Sequence, residues 1–464
     1  MLGALADVRA AAPALRARGV KMIGALTTAP SSVARVAGVP ILAAGEMSVL
    51  AQALQLVGGS PAYLVLASPL TCAEARAALD AAVTAGMRVA VVRDGAAPRP
   101  LNLSDLIGAP MRAVELESVQ KLVAGKRILV TGGAGSIGGE LSRRIAGLAP
   151  AELTVMDNSE FNLFSLGHDL AAIPHDAAVH LRFCDIRDGE AVRRIIERAK
   201  PDLVFHAAAM KHVPMVEANA CEGVLTNILG ARNVTTAAAD AGAHVVFVST
   251  DKAVNPVSVM GATKRLMEVY CQALDRDSPP NGLRFLTVRL GNVLGSAGSV
   301  APVFERQLAA GGPLTVTDPG ATRYFITIAQ AAGFLLQAAA AGLEHDEVRG
   351  AAHILDMGEP LTVAELARDM IRLSGRRPGR DVGIDFIGLR PGEKLHEELV
   401  ADDEVEAPTI GQGVKPVRSP PVSLVDITQR IEKLVSAARA GNDEVAKSML
   451  HACVGQARAR AATG

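Results

Sequence analysis

Residues 126–145, KRILVTGGAGSIGGELSRRI, contain the pattern that decides the fold. The first half predicts a buried strand and a tight turn, and the second half has the apolar spacing of a helix. Gly132, Gly135 and Gly138 lie in and just after this turn at i, i+3 and i+6. They permit, in order, the sharp turn, the approach of a pyrophosphate to backbone N–H groups, and close packing of the helix on the strand. The stretch therefore predicts a dinucleotide site.

The next elements extend this predicted site. Ser136 and Ile137 open the helix, whose N-terminal N–H groups are expected to face the phosphates. The strand LTVMD ends in Asp157, whose carboxylate can accept hydrogen bonds from the adenosine ribose and would repel a 2′-phosphate, which favours NAD over NADP. An alternative role for Asp157 is the N-cap of the following helix. The strand RFCDIRD places Asp185 and Ile186 where they could hold the adenine.

Two further strands lead toward a substrate. In PDLVFHAAAMKHVPMVE, small residues including Ala207 and Ala208 would let the chain pass close to the cofactor. Lys211 and His212 follow where a substrate would begin, and a structural role for His212 is the alternative.

The strand AHVVFVSTDKAVNP carries Thr250, Asp251 and Lys252 at its C-terminal end, where ligands bind in open α/β sheets. The helix after it, VMGATKRLMEVYCQAL, carries Lys264 on its first turns. The alternatives are a surface ion pair between Asp251 and Lys252 and a solvated Lys264.

The alternation of strands and helices predicts an α/β chain. We expect a Rossmann-type doubly wound parallel sheet with a smaller C-terminal substrate-binding subdomain, preceded by a small α/β domain. Residues 1–100 lack a glycine fingerprint, which favours docking or oligomerisation over a second active site. Pro and Gly predict a linker over 101–120, and 121–400 form the cofactor-binding and catalytic domain. In the extension 401–464, two closing helices are expected, the last beginning at an Asp443 cap.

Composition excludes several partners. The 464 residues carry a net charge of −1 without a dense basic block, so we expect no binding to nucleic acid or to acidic membranes. The five cysteines are widely spaced and form no CxxC pair, which predicts reduced thiols and no metal site. An apolar run of the roughly 18 residues that a membrane helix needs is lacking, and so is a signal pattern. We therefore expect a cytoplasmic chain.

The chain resembles the extended short-chain dehydrogenases, and more closely the nucleotide-sugar 4,6-dehydratases of polysaccharide biosynthesis. The resemblance runs from about residue 100 to the C-terminus. The region before it resembles the nucleotide-binding-like domain of larger, membrane-anchored members. The motifs that carry the resemblance are LVTGGAGSIGGEL, HAAAMKHVPMVE, STDKAVNPVSVMGATKR, RLGNVLGSAGSVAPVF, TRYFITI, LDMGEPLTVAELARDMI and GLRPGEKLHEEL.

The resemblance implies NAD-dependent conversion of UDP-N-acetylglucosamine to a UDP-4-keto-6-deoxy sugar by a homo-oligomeric enzyme. Carbon 4 is oxidised by hydride transfer to NAD, a base removes the carbon 5 proton, the carbon 6 hydroxyl leaves as water, and the hydride returns to carbon 6. Asp251 is then the proton donor, which requires a raised pKa. Lys252 is the base, as a neutral amine favoured by burial and by nearby Lys264. Lys264 binds the nicotinamide ribose.

Most relatives carry a tyrosine at the position of Met260, where it takes the carbon 4 hydroxyl proton. Some members of the group carry Met here, a pattern that favours retention at carbon 5. The proton is then expected to leave through Thr250 and a water, with Lys264 or Asp251 as acceptor. The chain has three tyrosines, none well placed as a substitute: Tyr63, Tyr270 and Tyr324.

The resemblance also implies contacts to UDP. Asn292 follows the sixth strand, and Arg323 could clamp the diphosphate with paired donors. Arg390 and Lys394 of RPGEKLHEE are expected nearby, and a structural ion pair is the alternative for each. Two other functions compete: an epimerase, which typically keeps the tyrosine and lacks the Asp–Lys pair, and a non-catalytic NAD-binding scaffold in a glycan-assembly complex.

Overall fold

A computed structural model describes residues 1–29, 33–56, 63–92, 96–107, 115–411 and 413–461. Contacts within the chain divide it into two compact units. The first unit comprises 1–108, 300–321 and 361–388, and the second comprises 109–299, 322–360 and 389–464. The predicted domain boundaries therefore differ from this division at two stretches, 300–321 and 361–388.

The first unit is a small α/β structure. Among the described residues its sheet has the order β3-β4-β2-β1-β5-β6-β7, in which the five central strands are parallel and the two edge strands antiparallel. A short helix lies within the predicted linker. The elements up to residue 107 are β1 (Leu2–Gly3), α1 (Leu5–Ala17), β2 (Ala25–Thr27), β3 (Arg35–Val36), β4 (Val39–Ala44), α2 (Met47–Leu56), β5 (Tyr63–Leu66), α3 (Cys72–Thr84), β6 (Arg88–Val91), β7 (Arg99–Pro100) and α4 (Leu103–Leu106).

The second unit begins with alternating helices and strands. A π-helical turn, Leu225–Gly230, joins α10 to α11. The elements from 115 to 299 are α5 (Leu116–Val123), β8 (Arg127–Thr131), α6 (Ser136–Ala146), β9 (Glu152–Asp157), α7 (Glu160–Ala171), β10 (Ala178–Phe183), α8 (Gly189–Ala199), β11 (Leu203–His206), α9 (Val213–Ala218), α10 (Ala220–Val224), α11 (Ala231–Asp240), β12 (His244–Thr250), α12 (Val259–Asp277), β13 (Phe285–Leu290) and β14 (Asn292–Leu294).

The remaining elements belong to both units. Two ion pairs join α15 to α3 within the first unit: Arg76 with buried Asp369 at 2.7 Å, and Arg372 with Asp80 at 2.7 Å. The elements are α13 (Val300–Ala309), β15 (Leu314–Val316), β16 (Thr322–Arg323), β17 (Phe325–Thr327), α14 (Ile328–Glu344), β18 (Ala351–Leu355), β19 (Leu361–Thr362), α15 (Val363–Leu373), β20 (Ile384–Phe386), β21 (Val405–Glu406), β22 (Val414–Arg418), α16 (Leu424–Arg439) and α17 (Asp443–Ala461).

The main sheet confirms the predicted Rossmann-type fold. Over the described part of the chain its order is β10-β9-β8-β11-β12-β13-β18-β22-β21. The first seven strands are parallel to one another. Strand β22 pairs antiparallel with β18, and β21 pairs antiparallel with β22. The chain order reverses between β8 and β11, and open α/β sheets bind ligands at the carboxyl ends of strands at such a point. Because alternate strand residues face opposite sides, Leu129 packs in one apolar cluster while Ile128 and Val130 pack in the other.

The two closing helices are present as α16 and α17, but the predicted cap of the second was wrong. The Asn442 side chain accepts the hydrogen bond from Val445 N at 3.1 Å. Asp443 is the first helical residue, and its carboxylate accepts from Cys221 N at 2.8 Å instead. No helix within the described residues is long and apolar enough to cross a lipid bilayer.

A buried ion-pair network joins α12 to β13 and the segment before β21. The guanidinium of Arg289 donates to both carboxylate oxygens of Glu268, at 2.9 and 2.8 Å, and of Glu404, at 2.6 Å each. Arg265 donates to Glu404 at 2.7 Å and to Glu268 at 3.1 Å. Burial would raise the pKa of Glu404, but the hydrogen bonds and charge of Arg289 hold it well below its usual range.

Candidate active site

The glycine turn between β8 and α6 has almost no room for side chains. Gly132 has φ +61°, and a Cβ there would lie 2.6 Å from the Ala208 backbone. A Cβ on Gly138 would lie 2.1 Å from the Gly132 carbonyl oxygen. Gly135 is the N-cap of α6 and contributes no side chain to the cap. The helix N-terminus is therefore accessible to a ligand, as a pyrophosphate site requires.

A cleft of about 720 Å³ opens at this turn, within the volume range of small-molecule sites. Lys211 and His212 line it where a substrate was expected. The His212 ring also packs on Gly298, where a Cβ would lie 2.3 Å from His212 Cε1. The cleft also contains the predicted cofactor residues other than Lys264, namely Gly132, Gly135, Ser136, Ile137, Gly138, Asp157, Asp185, Ile186, Ala207 and Ala208.

Asp157 has partners in the turn and in the next helix. Its Oδ2 accepts from Ala134 N at 3.1 Å and its Oδ1 from Ser159 N at 2.9 Å. The N-cap of α7 is Ser159, whose Oγ accepts from Asn162 N, so the alternative role of Asp157 as that cap was wrong. A carboxylate has about four lone-pair sites, so both oxygens can still accept from a ribose.

Asp185 is fixed by a neighbouring guanidinium. Arg187 donates to it through Nε at 2.8 Å and through its backbone N at 2.9 Å, and also pairs with Glu222 at 2.7 Å. The hydrogen bond from the Arg187 side chain lowers the pKa of Asp185. Asp185 is therefore a carboxylate of fixed orientation at the edge of the cleft.

Thr250, Asp251 and Lys252 converge where β12 ends. A single 3₁₀ turn, Asp251–Ala253, follows the strand and brings consecutive side chains together. Asp251 Oδ1 accepts from Lys252 Nζ at 2.9 Å and from Thr250 Oγ1 at 2.8 Å. Asp251 is fully buried, and its Oδ2 has no hydrogen-bond partner among the described residues. That oxygen is therefore an unsatisfied acceptor in the protein interior.

Lys252 is held by three oxygen atoms. Besides Asp251, its Nζ contacts Asn292 Oδ1 at 2.8 Å and Glu397 Oε1 at 3.3 Å. Burial lowers the pKa of Lys252, but the charges of Asp251 and Glu397 outweigh burial and raise it. The expectation that burial favours a neutral amine was therefore wrong for this arrangement, because two carboxylates face the ammonium.

Helix α12 carries Lys264 and Met260. Ser258 Oγ caps the helix by accepting from Gly261 N at 2.9 Å. Lys264 Nζ lies 4.4 Å from the centre of the Phe247 ring, and burial lowers its pKa to about 8. The Met260 side chain is 3% exposed and packs in an apolar cluster, so it offers no proton acceptor.

The three tyrosines lie in different surroundings. Tyr63 is half exposed in the first unit, and Tyr270 is buried in the core. Tyr324 packs at the edge of the other apolar cluster, and its carbonyl accepts from Asn292 N at 2.7 Å. Burial raises the pKa of Tyr324, and the charges of Glu359 and Asp251 raise it further.

The residues expected to hold UDP have protein partners here. Buried Arg323 pairs with Glu393 at 3.0 Å and with Glu397 at 3.8 Å, which is the structural alternative for this arginine. Arg390 is exposed, and its backbone N donates to Glu393 at 3.3 Å. Lys394 Nζ donates to the Val254 carbonyl at 2.7 Å. The phosphate roles of Arg323 and Arg390 stay predictions.

Sequence reasoning missed two polar residues that organise the site. The Asn227 side chain accepts from Met210 N at 2.7 Å and donates to Met210 O at 2.9 Å and to Thr263 Oγ1 at 3.0 Å. It thereby ties the loop after β11 to α12. An Asn within the apolar stretch GVLTNILG was its only signal. The other is Glu397, whose signal was an acidic residue in a motif assigned to UDP binding.

The chain matches known proteins over most of this unit. Residues 128–415 match a family described as polysaccharide biosynthesis protein. The capsular polysaccharide biosynthesis protein CapD of Staphylococcus aureus is 40% identical over 309 residues, which cover 66% of this chain and 50% of that protein. The chain spans about half the length of curated relatives with this degree of identity.

Other relatives are nucleotide-sugar enzymes of two kinds. A UDP-N-acetylglucosamine 4,6-dehydratase (inverting) from Campylobacter jejuni is 32% identical, and a UDP-glucose 4-epimerase from Rickettsia canadensis is 34% identical. Each match covers 60% of this chain and 79% of the relative. The structure of the dTDP-glucose 4,6-dehydratase DesIV from Streptomyces venezuelae with NAD bound is 26% identical, with a TM-score of 0.51 over 59% of this chain and 88% of that one. Similarity alone therefore leaves both reactions open.

Proposed function

Because the chain belongs to the polysaccharide biosynthesis protein family, we propose that it is an NAD-dependent 4,6-dehydratase that converts UDP-N-acetylglucosamine to a UDP-4-keto-6-deoxy sugar for a surface glycan. The family and the relatives support a nucleotide-sugar dehydratase or epimerase of the short-chain dehydrogenase/reductase type. The observation that carries the proposal is the contact between buried Asp251 and partly exposed Lys252, because dehydration needs both an acid and a base beside carbons 5 and 6.

The cleft residues fit NAD. The glycine turn would hold the pyrophosphate, Asp157 the adenosine ribose, Asp185 and Ile186 the adenine, and Lys264 the nicotinamide ribose. NAD, when bound, would accept the hydride from carbon 4 and later give it to carbon 6.

The chain's own residues move the protons. Thr250 Oγ1 accepts the carbon 4 hydroxyl proton while passing its own to Asp251 Oδ1, along the hydrogen bond already present. Asp251, now protonated, gives that proton to the departing carbon 6 hydroxyl, which leaves as water. Neutral Lys252 takes the carbon 5 proton and returns it when carbon 6 is reduced. The substrate loses one water, and all three side chains end in the protonation state in which they began.

The resting state predicts how activity depends on pH. Since the pKa of Lys252 is raised, its amine is protonated at neutral pH and must release a proton to solvent before it can act as a base. Turnover is therefore expected to rise as the pH rises through that pKa. Asp251 receives the proton that it later donates from the oxidation of carbon 4.

The reaction can be tested directly by NMR in deuterated water with UDP-N-acetylglucosamine. A 4-keto product with a methyl at carbon 6 and deuterium at carbon 5 supports dehydration. A change of configuration without a methyl group would identify an epimerase. An unchanged substrate with bound NAD would identify a non-catalytic scaffold. The same spectra give the configuration at carbon 5, for which the methionine at position 260 favours retention.

Replacing Thr250 by valine is expected to lower kcat about 100-fold or more, because it removes a relay hydroxyl while keeping the volume. Thr250→Ser keeps the hydroxyl and is expected to stay within about tenfold of the wild type. Both are measured by product formation. A Thr250→Val enzyme with nearly normal turnover would place the proton path elsewhere.

Gly138→Ala is expected to weaken NAD binding by at least about tenfold, because a Cβ placed 2.1 Å from the Gly132 oxygen forces α6 away from the turn. Gly139→Ala is the matched control, since its Cβ would lie at ordinary van der Waals distances, 3.6 Å from the Arg143 side chain and 3.8 Å from the Gly133 carbonyl oxygen. Calorimetric titration with NAD compares the two. Equal affinities would contradict the assignment of this turn.

A further inference from the structure

The buried carboxylate of Glu397 lies beside the proposed base. Its side chain is 3% exposed, and its Oε1 is 3.3 Å from Lys252 Nζ and 3.8 Å from Arg323 Nε. Its Oε2 has no hydrogen-bond partner within the described part of the chain. Burying a carboxylate is costly unless it is paired. The two nearby cations, Lys252 and Arg323, therefore stabilise Glu397 in its buried position.

We propose that Glu397 is a positioning residue for Lys252, which it holds against Asp251 and whose deprotonation it controls through its charge. The proposal rests on the dehydration proposed above, in which Lys252 removes the carbon 5 proton. Glu397 itself does not touch the reacting atoms in this scheme.

Geometry supports the positioning role. A lysine ammonium has three N–H donors, and three oxygens surround Lys252 Nζ: Asp251 Oδ1 at 2.9 Å, Asn292 Oδ1 at 2.8 Å and Glu397 Oε1 at 3.3 Å. Asp251 follows the end of β12 and Asn292 begins β14, whereas Glu397 comes from the segment after residue 389. The side chain is therefore fixed from three directions rather than by its own strand alone.

Charge supports the control of deprotonation. Asp251 faces the ammonium from the end of β12, Glu397 from the segment after residue 389, and Arg323 from β16; Asn292 on β14 is neutral. Two carboxylates thus oppose one guanidinium, and Glu393 further neutralises Arg323 at 3.0 Å. Without the charge of Glu397, one carboxylate would remain against one guanidinium, so the ammonium would lose its proton at lower pH.

Glu397→Gln tests this, because the amide keeps the shape and an acceptor oxygen but not the charge. The pKa of Lys252 is expected to fall by about one to three pH units. It is read from the side-chain Cε resonance in NAD-loaded protein with ¹³C-labelled lysine, assigned by its absence in Lys252→Arg. The acidic limb of the kcat/KM profile is expected to move to lower pH by the same amount. Glu398→Gln is the control, since Glu398 is 45% exposed and pairs with Lys394.

The outcomes separate this proposal from the proposed function. An unchanged Lys252 resonance in Glu397→Gln overturns the role of Glu397 without any assay of activity. A shifted pKa with an unmoved kinetic limb overturns the claim that Glu397 acts through the base. Wild-type protein that gives no product overturns the dehydration alone, since the NMR titration needs no substrate. If Glu397→Gln does not fold, Glu397→Asp keeps the charge, and a limb displaced by more than about one pH unit would overturn the proposal.

Discussion

Lys252→Arg is expected to lower kcat for dehydration by about 100- to 10,000-fold, the range that a positioned general base contributes. An arginine keeps the positive charge facing Asp251 and Glu397, so the buried carboxylates stay paired and the fold is preserved. Its guanidinium has no accessible neutral form, because its pKa lies above about 12. The carbon 5 proton therefore has no acceptor. Product formation and deuterium incorporation at carbon 5 should fall together.

The control is Lys433→Arg, which changes an exposed lysine on α16 in the same way and is expected to leave turnover unaltered. Retained NAD affinity and unchanged thermal unfolding would show that Lys252→Arg is intact. If this intact variant kept more than about a tenth of the wild-type rate, Lys252 would not be the base.

Arg289→Met is expected to lower the free energy of unfolding of the second unit by about 3–5 kcal/mol. Among the described residues, the substitution leaves Arg265 as the remaining ion-pair partner of buried Glu268 and Glu404. The main cost is the uncompensated negative charge that stays buried, which destabilises the folded state more than the loss of the ion pairs themselves. Urea unfolding followed by circular dichroism measures the change.

The loss in the free energy of unfolding of Arg289→Met should increase with pH. In the wild type the depressed pKa of Glu404 contributes stability above its unfolded value of about 4.3, and that contribution is lost as the pH falls through the folded pKa. In Arg289→Met the buried carboxyl binds a proton more readily. The difference between variant and wild type should therefore be larger at pH 8 than at pH 5.

Arg194→Met provides the comparison, because Arg194 is 66% exposed and pairs with Glu190 at 3.7 Å. Such a surface pair contributes little to stability, so the free energy of unfolding of Arg194→Met should stay within about 1 kcal/mol of the wild-type value. An Arg289→Met protein as stable as this control would show that the buried network contributes no net stability.

The cleft at the glycine turn could be predicted from the sequence because its parts follow short-range rules. The spacing of Gly132 and Gly138 fixes a turn and a helix that are adjacent along the chain. Asp157 ends β9 and Asp185 follows β10, and the carboxyl ends of these neighbouring parallel strands necessarily lie at one edge of the sheet. The order of strands along the chain is therefore enough to predict that these side chains lie close together.

The surroundings of Lys252 could not be predicted in the same way. Burial was recognised, and burial alone lowers the pKa of an amine. The opposing charges come from the adjacent Asp251 and from Glu397, which is distant in sequence and reaches the strand end only through the path of the folded chain. Together these two carboxylates outweigh the effect of burial, so the expectation of a neutral amine failed.

The predicted domain boundaries differ from the structure for a similar reason, because they too depend on tertiary contacts. The stretch 361–388 lies inside the domain predicted over 121–400, yet it groups with the N-terminal unit. The ion pairs of Asp369 and Arg372 with residues of α3 account for part of this grouping. Periodicity identifies α15 as a helix but says nothing about which sheet it packs against.

The burial of Met260 has a consequence for substitutions at this position. The methionine is enclosed in the apolar cluster beneath α12, where its flexible side chain fills an irregular space. A tyrosine at this position would add an aromatic ring and a hydroxyl that needs a partner. A tyrosine introduced here by a single substitution would therefore need space for its ring and a hydrogen-bond partner for its hydroxyl in a cluster now filled by apolar side chains. We expect Met260→Tyr to require changes in the surrounding residues before its phenol could act as a proton acceptor.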